Sequence, residues 1–338
     1  MSHFVTPESS KLPARRLSFI KTPRSWLYAF WKFSRPHTII GTSLSVLGLF
    51  SIVLATSDQL ESTVNVSSLA TLVTAWLACL AGNVYIVGLN QIEDVEIDRI
   101  NKPHLPLASG EFSHRDGRWL VAIMGFLGLL LATLGGPWLI FTLVTSLIIG
   151  TAYSLPPIRL KRFPFWASFC ILAVRGAIVN LGLFLHFSER FGLPLLVPPR
   201  IWTLTGFVLV FSIAIAIFKD IPDLEGDRRY NIRTFTVQLG QQTVFNLARA
   251  ILTLCYVGVI LAALWLPDVN RPFLAITHLL VLVTFWTLSF RVAGFERWGK
   301  SSQPMTYPAF YQFIWKMFFL EYLIFPIACW LASPLLAS

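Results

Sequence analysis

Apolar runs long enough to cross a bilayer, about 20 residues each, recur along almost the whole chain, and short polar loops separate them. They lie near 38–55, 67–90, 119–136, 138–154, 166–187, 201–218, 243–266, 273–291 and 310–333. Between the third and fourth the only break is Gly135-Gly136-Pro137, which predicts a turn. Ahead of the first run, Trp26, Leu27, Phe30, Trp31 and Phe33 alternate with Lys32 and Arg35. That mixture predicts a short amphipathic helix lying in the membrane interface. Residues 1–36 therefore read as a basic tail plus an interfacial helix, and residues 37–338 as one nine-span domain. The tail holds no apolar core of signal-peptide length and is not expected to be a secretory leader. The fold class expected is all-α and polytopic.

Composition agrees. Of 338 residues, 55% are hydrophobic and only 13% charged, against about 25% charged in soluble domains, and the mean hydropathy is +0.66. A net charge of +10 could suggest nucleic acid, but the cations sit in the short loops between apolar runs. With the N-terminus inside, 21 of the 27 lysines and arginines fall on that side and three, Arg190, Arg200 and Arg271, on the other. This asymmetry predicts nine spans with a cytoplasmic or stromal N-terminus. Cys79, Cys170, Cys255 and Cys329 all lie within apolar runs and show no CxxC pairing, which argues against a disulfide framework or a zinc site.

The acidic residues are concentrated. Asn90 to Gly110 reads NQIEDVEIDRINKPHLPLASG, directly after the second run. Asn90, Asp94 and Asp98 are four apart, a spacing that stacks side chains along one helix face. After the sixth run comes DIPDLEGD, Asp220 to Asp227. The hexamers from Asp94 and Asp223 share D-[VL]-E-x-D-R at an offset of 129 residues. Four spans separate them, and an even number preserves direction. Two parallel four-helix pseudo-repeats plus one helix, with both acidic clusters facing one central cavity, are therefore expected.

Paired carboxylate clusters suit hard divalent cations. Arg35, Lys102, Arg159, Lys161, Arg162, Lys219 and Arg228 flank the same mouth. A proton relay has no use for so many cations, and they would impede a cation channel. Carboxylates together with cations match a magnesium-bound diphosphate, two ions bridging carboxylate and phosphate oxygens. An apolar, aromatic interior would take a long hydrocarbon tail. Departure of diphosphate from an allylic carbon leaves a carbocation, which aromatic faces such as Tyr153 stabilise. A transporter predicts ionisable groups deep in several spans, where only Arg175, Arg249, Lys316 and Glu321 qualify. A site-free structural protein gives no reason for the repeated hexamer.

NQIEDVEID with the later DLEGD resembles the NxxxDxxxD and DxxxD pair of the UbiA superfamily of intramembrane aromatic prenyltransferases. The Arg35-Pro36 pair, YSLPPIRLKR (Tyr153 to Arg162) and the span count add to the likeness. NKPHLPLASGEFS and FKDIPDLEGDRRYNIRTFTVQLG are similar to the homogentisate prenyltransferases, above all the phytyl-transferring, tocopherol-pathway branch of cyanobacteria and plastids. The resemblance implies that Asn90, Asp94, Asp98, Asp220, Asp223 and Asp227 hold magnesium on a prenyl diphosphate. It assigns Arg35, Lys102 and Lys161 to phosphate oxygens, with Arg159, Arg162, Lys219 and Arg228 as further candidates. The acceptor implied is homogentisate, alkylated and decarboxylated to a methyl-prenyl-benzoquinol, in a cyanobacterial or plastid membrane. A geranylgeranyl or solanesyl donor, or a chlorophyll or quinone acceptor, is the alternative on the same scaffold.

Other residues carry two readings each. Arg175, mid-span, either binds an acceptor carboxylate or pairs with a polar neighbour such as Asn180. His104, or else His186, is a candidate proton acceptor, while His37 is read as positioning the first span. Lys316 and Glu321 either pair or snorkel. Glu93, Glu96 and Glu225 fall off the aspartate face and are expected to be solvated or paired with arginine.

Overall fold

The computed structural model describes residues 17, 19–56, 65–221, 224–229, 234–292 and 305–333, without the side chain of Asp227. Asp223 and the first sixteen residues lie outside this set. The expected runs coincide, among the described residues, with nine helices long and apolar enough to cross a membrane. This is a multi-pass membrane protein.

Helix α1 spans Pro23–Phe33. It buries Ala29 and Phe33 in a small cluster with Val84, Leu107 and Phe112 and leaves Leu27, Tyr28 and Trp31 exposed. The first spans are α2, Pro36–Leu54, and α3, Val66–Glu93. Short helices α4, Val95–Asn101, and α5, Pro106–Ser109, fill the first-motif loop. Next come α6, His114–Gly135, α7, Pro137–Ser154, and α8, Pro164–Arg190, which is π-helical over Ala173–Ile178. Then α9, Pro199–Phe218, leads to the short α10, Leu224–Arg229, and α11, Phe235–Leu239. The last spans are α12, Gln241–Ala263, α13, Arg271–Ser289, and α14, Tyr307–Trp330.

Local chemistry sets these boundaries. Proline occupies the first turn of α2, α7, α8, α9, α13 and α14, where its missing N–H leaves no bond unmade. Capping boxes at Asn65/Ser68 and Ser113/Asp116 start α3 and α6. The expected α6–α7 turn rests on Gly136 at φ 98°, a region closed to most side chains. Arg190 donates to the carbonyl oxygens of Leu134 and Gly135 exposed there.

Helix α2 packs on α3, α8 and α14; α8 packs also on α7, and α9 on α14. These six helices close a ring around a central cavity, and α6, α12 and α13 pack outside it. The short α10 packs against α4, which brings Leu224–Arg229, the described part of the second acidic stretch, to the first motif's end of the bundle.

Candidate active site

The first motif straddles a helix break. Helix α3 ends at Glu93 and Asp94 leaves the helical region (φ −114°, ψ 15°) before α4 begins. Backbone bonds still run four residues back across the break, from Asp94 to Asn90 and from Asp98 to Asp94. Asn90, Asp94 and Asp98 therefore keep the shared face that their spacing predicts.

Cations converge on that face. Lys161 Nζ lies 2.7 Å from Asp94 and Arg159 3.1 Å from it. Arg35 donates to Asn90 Oδ1 at 3.2 Å, and Asn90 Nδ2 donates to Asp94 at 2.9 Å. The Asn90 oxygen thus accepts from Arg35 while its amide is directed at Asp94. Arg35 and Arg159 both hold left-handed backbone, φ 53° and 38°. For residues with a side chain that conformation costs about 1–2 kcal/mol each, and such strain clusters at functional sites.

Lys102 and Arg35 reach Asp98 only at 3.9 and 3.8 Å, beyond direct hydrogen-bond range. Asp220 is buried and ion-paired with Lys219 at 2.6 Å. All of these groups line one cavity of about 1110 Å³. A narrower, mainly apolar cavity of about 290 Å³ adjoins it, reaching Cys79, Thr142 and Ser146 on α3 and α7. Arg35, His37, Asn90, Tyr153, Lys219 and Tyr311 line both.

Among the described residues no three acidic, histidine or cysteine side chains gather closely enough to hold a metal ion alone. The donors nevertheless fit magnesium. They are oxygens, Arg35 and Lys102 stand 3.8 and 3.9 Å from Asp98, and Mg²⁺ takes one or two carboxylates and completes its shell with water and phosphate rather than a protein cage. Asp223 lies outside the described residues, as does the Asp227 side chain.

The remaining candidates separate. Arg162 sits exposed on the rim of the mouth, and Arg228 lines a neighbouring groove with Glu225 and Tyr307. His104 lines the mouth, where partial burial and the charges of Lys32, Lys102 and Arg35 hold its imidazole pKa below the ordinary value. Burial likewise lowers Lys161, and Asp94 opposes that shift. His186 is fully buried beside Phe187, away from both cavities. Glu321 pairs with His278 at 3.0 Å and not with Lys316, which is exposed. Glu96 pairs with Arg99, as expected for a residue off the aspartate face. His37, Asn83 and Trp315, none of them singled out as reactive in the sequence, line the apolar cavity. His37 and Trp315 meet ring to ring, with centroids 4.8 Å apart. A span this rich in aromatics offers no sequence signal by which Trp315 stands out.

A ring of six helices thus joins an ionic mouth to an apolar interior. The model of the UbiA prenyltransferase family matches residues 44–332. This chain belongs to that family. It is 51% identical over 309 residues to the homogentisate phytyltransferase of Synechocystis sp., covering 91% of this chain and 97% of that protein. It is 39% identical over 327 residues to the chloroplastic homogentisate phytyltransferase 1 of Arabidopsis thaliana, covering 95% of this chain and 79% of that one. Among solved structures, a UbiA homolog from Archaeoglobus fulgidus bound to GPP and Mg²⁺ superposes with a TM-score of 0.62 at 16% identity, over 90% of this chain and 99% of that one. At that identity the likeness shows the UbiA fold alone.

Proposed function

We propose that this UbiA prenyltransferase moves a phytyl group from phytyl diphosphate to homogentisate, with loss of carbon dioxide, to give the methyl-phytyl-benzoquinol of tocopherol synthesis. One observation carries the reading. The Asn90–Asp94–Asp98 face, ringed by Arg35, Arg159 and Lys161, opens directly onto an apolar cavity, as a diphosphate head and a hydrocarbon tail require. The 51% identity to a homogentisate phytyltransferase supports the choice of donor and acceptor.

In this reading Asp94, Asp98, Asp220, Asp223 and Asp227 hold two magnesium ions, with Asn90 orienting Asp94. The ions supply fixed positive charge to the departing diphosphate. Arg35, Lys102, Arg159, Lys161 and Lys219 neutralise the phosphate charge that remains. These cations already stand in place, so little reorganisation accompanies bond breaking. Tyr153 and Trp315 present aromatic faces to the allylic cation. His104, held neutral, accepts the ring proton. The charge asymmetry of the loops supports a mouth on the cytoplasmic or stromal side of a cyanobacterial or plastid membrane.

The test is an assay in isolated membranes, with labelled homogentisate and phytyl, geranylgeranyl or solanesyl diphosphate, with magnesium or excess chelator. A magnesium-dependent, decarboxylated product from the phytyl donor is expected. Product from the solanesyl donor alone would overturn the donor assignment, and no product from any donor would overturn the acceptor.

A further inference from the structure

A second charged position lies inside the ring, away from the metal face. Arg175 falls in the π-helical segment Ala173–Ile178 of α8, a distortion that often marks functional positions. Its side chain lies deep in the bundle yet keeps partial accessibility, because it lines the apolar cavity. The guanidinium carbon sits 4.7 Å from the ring centre of Trp315 and 5.6 Å from that of Phe318.

Among the described residues Arg175 forms no ion pair. The residues lining the apolar cavity include no aspartate or glutamate. Asn180 is engaged elsewhere: its amide donates to the carbonyl oxygens of Arg175 and Gly176, and its Oδ1 accepts from Tyr322 at 2.8 Å. The pairing with Asn180 open from the sequence therefore leaves the guanidinium edge unused. Arg249, the other arginine within a span, differs. It stacks on Trp286 at 4.3 Å, donates to Asn246, and lies on an outer helix away from the cavity. An arginine at membrane depth is costly and ordinarily faces a partner or a water-filled site. Stacking on one face leaves the planar N–H fork open to a two-oxygen acceptor.

We propose that Arg175 is the carboxylate receptor of the acceptor site, binding an aromatic acid through a bidentate guanidinium–carboxylate contact with Trp315 and His37 beside the ring. The inference rests on the function proposed above, and it makes Arg175 the residue that selects an acidic aromatic acceptor over a neutral one. The diphosphate is the other anion available, and the experiment separates the two.

Detergent-purified full-length protein is titrated with 4-hydroxyphenylacetate and with 4-hydroxyphenylacetamide, which differ in charge but hardly in shape. Binding is read from the shift in thermal unfolding, which needs no turnover. The wild type is expected to bind the acid about tenfold or more tightly than the amide. Arg175→Gln should bind both alike, and Arg175→Lys should recover part of the preference. In turnover assays Arg175→Gln should raise the homogentisate KM by about tenfold or more and leave the prenyl diphosphate KM within about twofold. Equal binding of acid and amide by the wild type would overturn the proposal even if the variants fail to fold, and so would a rise confined to the donor KM. A wild type that prefers the acid but does not prenylate homogentisate would overturn the proposed function and leave the carboxylate site standing.

Discussion

Replacing Asp94 by Asn separates a metal-site role from a merely structural one. Its side chain is 14% exposed and sits 2.7 Å from Lys161, 3.1 Å from Arg159 and 2.9 Å from the Asn90 amide. The substitution keeps the shape and one oxygen acceptor but removes the negative charge. Losing one preorganised charge contact at a reacting centre costs about 3–4 kcal/mol of transition-state stabilisation, a factor of about 10²–10³ in rate. The freed Arg159 and Lys161 are only 19% and 12% exposed, so leaving them without the carboxylate should lower global stability by about 1–3 kcal/mol, which the melt reads separately from the rate. Magnesium half-saturation should also rise, because a carboxylate binds it better than an amide does. The assay is initial rate in membranes against magnesium, with protein quantified and a thermal melt recorded in parallel. Glu96→Ala is the control. Glu96 and its partner Arg99 are 63% and 55% exposed, a pair worth about 0.3–0.5 kcal/mol, and its rate should match the wild type. Wild-type turnover and unchanged magnesium dependence in Asp94→Asn would refute the metal assignment, and complete loss in Glu96→Ala would mean that the other helix face carries the site.

Ser146 is buried at the deep end of the apolar cavity. Ser146→Phe should lower turnover of phytyl diphosphate more than that of geranyl diphosphate in a two-donor competition, and equal losses would place the tail elsewhere. With its pKa held below the ordinary imidazole value, His104 is neutral near pH 7 and gains a proton only as pH falls through that lowered value. If it accepts the ring proton, turnover drops on that acid limb, and His104→Gln should lower the rate and erase the limb; an identical limb in the variant would exclude the role. Glu321→Ala leaves His278, itself fully buried, without its partner in an apolar setting. It should lower stability in detergent by about 1–3 kcal/mol, and adding His278→Ala should recover part of the loss.

Much of this architecture follows from the sequence by itself, because a bilayer imposes strict local rules. Backbone groups in hydrocarbon must bond within their own segment, so each apolar run becomes a helix, and first-turn prolines mark where α2, α7, α8, α9, α13 and α14 begin. The aspartate face was legible for the same reason: a spacing of four survives even the break at Asp94, since the backbone bonds continue across it. Which side chains meet across helices was settled only by the tertiary structure. Nothing local distinguishes Trp315 among 12 tryptophans; it matters because α14 packs on α2 and sets it against His37 and Arg175. Glu321 could as well have paired with Lys316 on its own helix, but α13 delivers His278 to it while Lys316 points outward. Local rules govern backbone bonding and the face on which a residue lies. The partner of a buried charge depends on which helices become neighbours, and the packing of the whole ring decides that.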